Sequence, residues 1–173
     1  PEPRPVESDY EVGAFYFPGW NDMSRWSPIL DFPERKPVLG WYDESNPECA
    51  DWQIKWAVEH GIDFFMVDWY WSQGDRHLEH WLHDAYSKAK HRKHLKWCMM
   101  WANHNRPNTH SPEDWKKVTQ YWIDNYFGMD EYYRIDGRPA VFIWAPNNIR
   151  RDVGGTEEAT KLYAISQEMA RAA

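Results

Sequence analysis

Ile62-Asp63-Phe64-Phe65-Met66-Val67-Asp68-Trp69-Tyr70-Trp71 is a nearly continuous apolar run broken by two carboxylates. Continuous rather than alternating apolar character suits a strand covered on both faces, as in a parallel sheet. The run is preceded by Gly61, a helix stop, and before that by a segment from Asn46-Pro47 to His60. Asn46 reads as an N-cap with Pro47 at the first helical position, and Trp52 and Trp56 fall four apart on one helix face. Further upstream, Val12-Gly13-Ala14-Phe15-Tyr16-Phe17 reads as another strand, closed by Pro18-Gly19. Between that strand and the helix lies an irregular segment carrying Trp20, Trp26, Trp41 and Tyr42 among Pro28, Pro33 and Pro37.

Downstream the alternation continues. Residues 76–90 are amphipathic, with Leu78, Leu82, Ala85 and Ala89 toward one side, and predict a helix. Leu95-Lys96-Trp97-Cys98-Met99-Met100-Trp101 predicts a third strand. Ser111-Pro112-Glu113-Asp114 is a helix start with a capping Ser, Pro and first-turn acids, and that helix runs to about Phe127. Asp136-Gly137 lies between Tyr132–Ile135 and Pro139–Trp144 and predicts a tight hairpin whose second arm becomes the fourth main strand. Thr156 opens a last helix to about Arg171.

Four strand–helix repeats point to βαβ units. No Gly-rich turn follows the first strand, so a dinucleotide-binding sheet is disfavoured. Polar and aromatic residues gather instead after every strand, where a barrel carries its function. The expected fold is therefore α/β, of the (β/α)8 TIM-barrel type. Such barrels take about 250 residues, so the 173 residues here hold about four βα units, a partial barrel. Residues 1–11 read as an N-terminal linker and 12–173 as the N-terminal half of the barrel. A half barrel leaves strand edges and apolar faces open, so its expected partners include the remaining half or another chain.

A formal charge of −7 argues against nucleic acid or an anionic membrane as partner, and no apolar run is long enough for a membrane span. The N-terminus shows no signal-peptide pattern; location stays open, with extracellular or periplasmic placement favoured. Cys49 and Cys98 read as two separate buried thiols, a single bridge being the alternative. His77, His80 and His83 recur every three residues, followed by His91 and His94. That spacing is not the HExxH of a zinc hydrolase, so no metal and no cofactor are expected, and these histidines read as a polar helix face.

Thirteen Trp and ten Tyr are far above ordinary usage. Aromatic faces stack on the C–H faces of sugars, and amides and carboxylates bind hydroxyls. The strand C-termini gather such groups. Asp68 is the candidate pocket acid and His104 a candidate general acid/base. Tyr16, Trp20, Trp69, Tyr70, Trp71, Trp101, Asn103, Asn105 and Trp144 are the candidate substrate-binding residues, and no metal ligand is assigned. Asp22, Asp43, Glu44 and Asp75 are loop carboxylates that spacing does not distinguish.

An ordered set of segments carries a family resemblance. They are Ala14–Pro18, Gly61–Phe65 leading to Asp68-Trp69-Tyr70-Trp71, Met100-Trp101-Ala102-Asn103, Ser111–Asp114 and Tyr133–Ile143. In order and spacing they resemble the N-terminal half of the glycoside hydrolase family 99-like (WbsX-like) domain. The resemblance implies a barrel acting on a polysaccharide or glycan, mannosides included. It also implies that the catalytic glutamates of family 99 lie further along the barrel than this chain reaches. Where the group often has Glu after Trp-Ala-Asn, this chain has His104. The expected activity is hydrolysis of O-glycosyl bonds at the C-terminal face of the barrel. The alternatives are a non-catalytic glycan-binding barrel or polysaccharide-biosynthesis-associated protein, and, less favoured, a metal-dependent hydrolase.

Overall fold

The computed structural model describes residues 2–173. They divide into two compact units, one comprising the chain up to Asp68 with Leu78–Trp97, the other Trp69–His77 with Cys98–Ala173.

The first unit opens with strand β1 (Gly13–Tyr16), then a short helix α1 (Met23–Trp26) inside the long aromatic loop, then helix α2 (Pro47–Glu59) and the start of strand β2 (Phe64–Ser72). β1 pairs in parallel with β2, Gly13 opposite Phe64 through Tyr16 opposite Val67. Gly13 is required by that approach, because a Cβ there would lie 2.3 Å from the Phe64 ring. α2 begins as the sequence predicts: Asn46 Oδ1 accepts the Glu48 N–H at 2.9 Å, and Pro47 opens the first turn. Its buried face is Cys49, Ala50, Ile54, Ala57 and Val58. Gly61, at φ 76°, follows the helix end and turns the chain toward β2. Trp52 and Trp56 do touch, with ring centroids 5.5 Å apart, but on the solvent side of α2.

β2 does not stop near Asp68. Gln73 and Gly74, both at positive φ, turn it into strand β3 (Asp75–His77), which pairs antiparallel from Tyr70–His77 to Ser72–Asp75. Two successive positive φ values match the twist of a two-residue hairpin. This corrects the predicted helix over 76–90: its first residues are hairpin, Leu78 has φ 67°, and only Trp81–Lys88 is helical, as a π turn followed by a 3₁₀ turn. His77, His80 and His83 therefore do not share one helix.

The second unit holds strand β4 (Lys96–Trp101) beyond its first residues and helix α3 (Pro112–Trp122), which ends in a π turn over Ile123–Phe127. Ser111 caps α3 by accepting the Asp114 N–H at 3.1 Å. Strands β5 (Arg134–Ile135) and β6 (Arg138–Pro139) form the predicted hairpin, with Asp136 and Gly137 at φ 50° and 76°. That hairpin is a sheet of its own. The fourth main strand is the separate β7 (Phe142–Ile143), parallel to β4. Helix α4 (Pro146–Val153) was not expected; Gly154, at φ 89°, ends it, and α5 (Thr156–Ala172) follows as predicted.

The main strands lie in the order β1-β2-β4-β7, each added beside the one before it. A doubly wound sheet reverses its order part-way, whereas a (β/α) barrel adds strands in sequence. The fold is therefore α/β of the barrel type, with four βα units. Both cysteines are free and buried, so no bridge joins them. Among the described residues no helix is long and apolar enough to cross a membrane.

Candidate functional site

In the first unit the chemistry centres on Glu44, which is only 2% exposed. Its Oε2 accepts the Trp20 N–H at 2.7 Å, and its own N–H donates to the Trp20 carbonyl at 2.9 Å. This reciprocal pair closes the long loop between β1 and α2. The Tyr16 hydroxyl, at the end of β1, lies 2.9 Å from Glu44 Oε1 and 2.9 Å from Gln53 Oε1, so its one proton is shared between them. Gln53, from α2, donates its amide to the same Glu44 oxygen at 3.4 Å. Burial pushes the Glu44 carboxyl above its ordinary pKa, against the opposing pull of the bonds from Trp20, Tyr16 and Gln53. Burial and the Glu44 charge hold the Tyr16 phenol well above its usual value, and push the Cys49 thiol to about 12.

The loop around this carboxylate is aromatic. Trp20 stacks on Trp26 at 4.0 Å, and Trp26 is flanked by Trp41 at 5.3 Å and Tyr42 at 5.0 Å. The Trp26 indole N–H donates to the Tyr42 carbonyl at 2.8 Å. Trp26 is the buried keystone, and Trp20, Trp41 and Tyr42 stay partly open. Asp68 sits mid-strand in β2 and is half-buried.

From Met66 onward β2 alternates strictly between half-buried and buried positions. Trp69 and Trp71 take the buried positions and pack on Tyr121, Trp69 also on Trp122 at the end of α3. Trp101 is fully buried against Trp115 and Trp122. These three indoles, candidates for stacking on a ligand, thus have their faces covered by protein. Period-two alternation decides this, because residues 69 and 71 necessarily point away from the face of 68 and 70.

Asn103 is also fully buried. Its Oδ1 accepts the Ala145 N–H at 2.7 Å and its Nδ2 donates to the Ala145 carbonyl at 2.9 Å, so the side chain continues the β4–β7 ladder. Those two bonds fix the amide orientation. The same Nδ2 therefore faces His110 Nε2, at 3.4 Å, as a donor. Nε2 must accept, which puts the ring proton on Nδ1, 2.6 Å from Asp152 Oδ2. Burial opposes the Asp152 charge, yet bonds from His110, the Asn108 and Thr109 backbone and Arg151 hold its carboxyl well below the usual range. Neither His110 nor Asp152 stood out in the sequence, since one follows a polar turn and the other lies within an unpredicted helix.

The exposed groups of this unit are different. His104 lies edge-on to Tyr70 at 5.6 Å and to Trp144 at 6.4 Å, and Trp144 is 57% exposed. The ends of β2, β4 and β7 thus bring together an imidazole, a phenol and an indole. Asn105 is tied to the strand by donating to the Trp71 carbonyl at 2.8 Å. Asp114, 8% exposed, accepts the Trp71 indole N–H at 3.0 Å, and burial raises its pKa against that bond. Sequence reading named Glu44 only as one of four loop acids.

The family model described as Glycosyltransferase WbsX matches residues 17–170. The chain belongs to this WbsX family. Two curated relatives, the uncharacterized proteins WxcX from two strains of Xanthomonas campestris pv. campestris, are each 24% identical over 163 residues. The alignment covers 85% of this WbsX-family chain and 23% of each relative, so the chain spans about a quarter of their length. Among solved structures, a GH99 endo-α-mannosidase from Bacteroides thetaiotaomicron is similar, with TM-score 0.57, 21% identity, and coverage of 78% of this chain and 45% of that one. The same kind of enzyme in complex with bis-tris-propane gives TM-score 0.55 at 22% identity, covering 78% and 42%. A glycoside hydrolase-like protein gives TM-score 0.59 at 20% identity, covering 98% of this chain and 52% of its own. The WbsX-family chain therefore has a glycoside hydrolase-like, GH99-related fold and spans about half of those structures.

Proposed function

We propose that this chain is the N-terminal part of a glycan-acting barrel that binds a polysaccharide or glycan at its strand C-termini and takes part in hydrolysing it. The observation that carries the reading is the Glu44 cluster: a nearly buried carboxylate holds the Tyr16 hydroxyl and the Trp20 backbone, with Trp20, Trp41 and Tyr42 partly open around it. Fixed phenols and indole faces match the alternating hydroxyl and C–H faces of a sugar ring. In this reading Glu44 positions Tyr16 and Trp20, and Asp68 is the acid that meets the substrate. Tyr70, His104 and Trp144 form a second set of sugar-contacting groups in their own unit, with His104 as acid/base. The substrate class is mannoside-type, by analogy with the GH99 endo-α-mannosidase structures.

Glycoside hydrolysis ordinarily needs two carboxyl groups across the scissile bond. The trio of half-buried Tyr70 and exposed His104 and Trp144 contains none, which favours one alternative, a barrel that binds glycan without cleaving it. Incubation of the full-length protein with α-mannan oligosaccharides, followed by chromatography of the products, separates the two. Cleavage lost in Asp68→Ala supports hydrolysis with Asp68 in the site. Binding by calorimetry with no products supports the second reading. Neither binding nor cleavage across α- and β-linked polysaccharides would overturn both. The exposed Phe15 of β1 and Phe17 just after it support the remaining barrel half, or another chain, as the partner that covers that strand.

A further inference from the structure

Three possible metal ligands converge in the first unit away from the aromatic loop. One ligand atom each from Glu2, His91 and His94 lies within 4.8 Å of the others. Glu2 Oε1 is 3.2 Å from His94 Nε2, and Glu2 Oε2 is 3.7 Å from His91 Nδ1, so the carboxylate straddles both imidazoles. His91 caps a 3₁₀ turn over Arg92–His94 and His94 ends it; side chains three apart in such a turn eclipse one another. That turn is anchored from behind. Asp51 accepts the His91 N–H at 2.9 Å, His94 N–H donates to the His91 carbonyl at 2.9 Å, and the Tyr86 hydroxyl reaches the Arg92 and Leu95 carbonyls at 3.1 and 2.5 Å. The segment bearing Glu2 is docked independently: Pro3 is buried, Arg4 N–H donates to Glu59 Oε1 at 3.0 Å, and Val6 N–H to the Val58 carbonyl at 3.0 Å.

We propose that Glu2, His91 and His94 bind a divalent transition-metal ion of the zinc class, clipping the N-terminal segment to the turn after Tyr86. Two imidazoles and one carboxylate are a borderline donor set that suits Zn²⁺ over Ca²⁺ or Mg²⁺, which take mostly oxygen ligands. Both imidazoles are already held partly buried, at 16% and 22% side-chain exposure, so little ordering remains for the ion to impose. A protein-supplied triad leaves the fourth position to water. The role is structural: the ion stabilises the folded state by mass action.

The test uses the tag-free, full-length protein titrated with ZnCl₂ by calorimetry, with melting temperature followed in parallel. The expected result is saturable binding of one ion and a rise in Tm, both lost in the His91→Ala/His94→Ala variant with its circular dichroism unchanged. No saturable binding, or equal affinity in that variant through other surface histidines such as His60, His77 and His83, would overturn the proposal. If the double variant does not fold, Glu2→Gln decides, because Glu2 is exposed. Affinity weakened by about tenfold or more supports the site, since a three-ligand set loses its only charged ligand, and unchanged affinity sinks it.

Discussion

The Tyr16 hydroxyl and the Glu44 carboxylate meet at 2.9 Å, joining the end of β1 to a loop residue 28 positions further along the chain. One acceptor thereby fixes a phenol, a backbone N–H and an amide. Glu44→Ala leaves the Trp20 N–H without its partner and Tyr16 with Gln53 alone. Each buried group left unsatisfied costs about 1–3 kcal/mol. A lowered urea midpoint, larger for Glu44→Ala than for Glu44→Gln, is expected, because Gln can still accept from Trp20.

The same carboxyl sets a pH dependence. Its folded pKa is raised, so the folded state holds the proton more tightly than the unfolded state does. Its contribution is fully present below the ordinary carboxylate pKa and is lost as pH rises through the raised value. Asp152 works the other way. Its folded pKa is depressed, so its contribution is present above the ordinary carboxylate pKa and is lost as pH falls through the depressed value. Denaturation curves measured against pH should therefore shift in opposite senses in Glu44→Gln and Asp152→Asn.

Breaking the buried His110–Asp152 hydrogen bond is expected to destabilise the second unit. A hydrogen bond to a charged group is worth about 1.5–3 kcal/mol. His110→Ala should also loosen Asn103, since His110 Nε2 accepts from its amide. Hydrogen exchange at Ala145 N–H, which donates to Asn103 Oδ1, reads that loosening directly.

Trp101 and Trp144 should separate packing from binding. Trp101→Ala opens a cavity beneath α3 and costs about 3–5 kcal/mol by thermal unfolding. Trp144→Ala removes an exposed ring, so Tm should hold while glycan affinity, read by calorimetry, weakens by about 1 kcal/mol.

Cys49 and Cys98 should resist thiol reagents in the folded state. Both are buried, and burial pushes each thiol to about 12, Cys49 with help from Glu44 and Asp43. Ellman's reagent should react with neither in buffer and with both in denaturant.

The sequence by itself determined the barrel-type alternation of strands and helices, the Asn46 and Ser111 caps and the Asp136-Gly137 hairpin. These depend on local patterns: apolar runs, capping side chains and positive-φ turn residues act within a few positions of themselves. It also marked the strand ends as the candidate functional face. Only the tertiary structure decided which aromatic residues there remain open. Trp69, Trp71 and Trp101 look like Trp144 in sequence, but strand parity and the cover of α3 bury the first three. Glu44 was indistinguishable from Asp22, Asp43 and Asp75 because its partners Tyr16, Trp20 and Gln53 come from three separate places in the chain. The hairpin at Gln73-Gly74 overrode the helical period of residues 76–90, since two positive-φ residues reverse the chain before a helix can start. Glu2 meets His91 and His94 only through the docking of Pro3, Arg4 and Val6 on the first unit, a long-range contact that no spacing along the chain encodes.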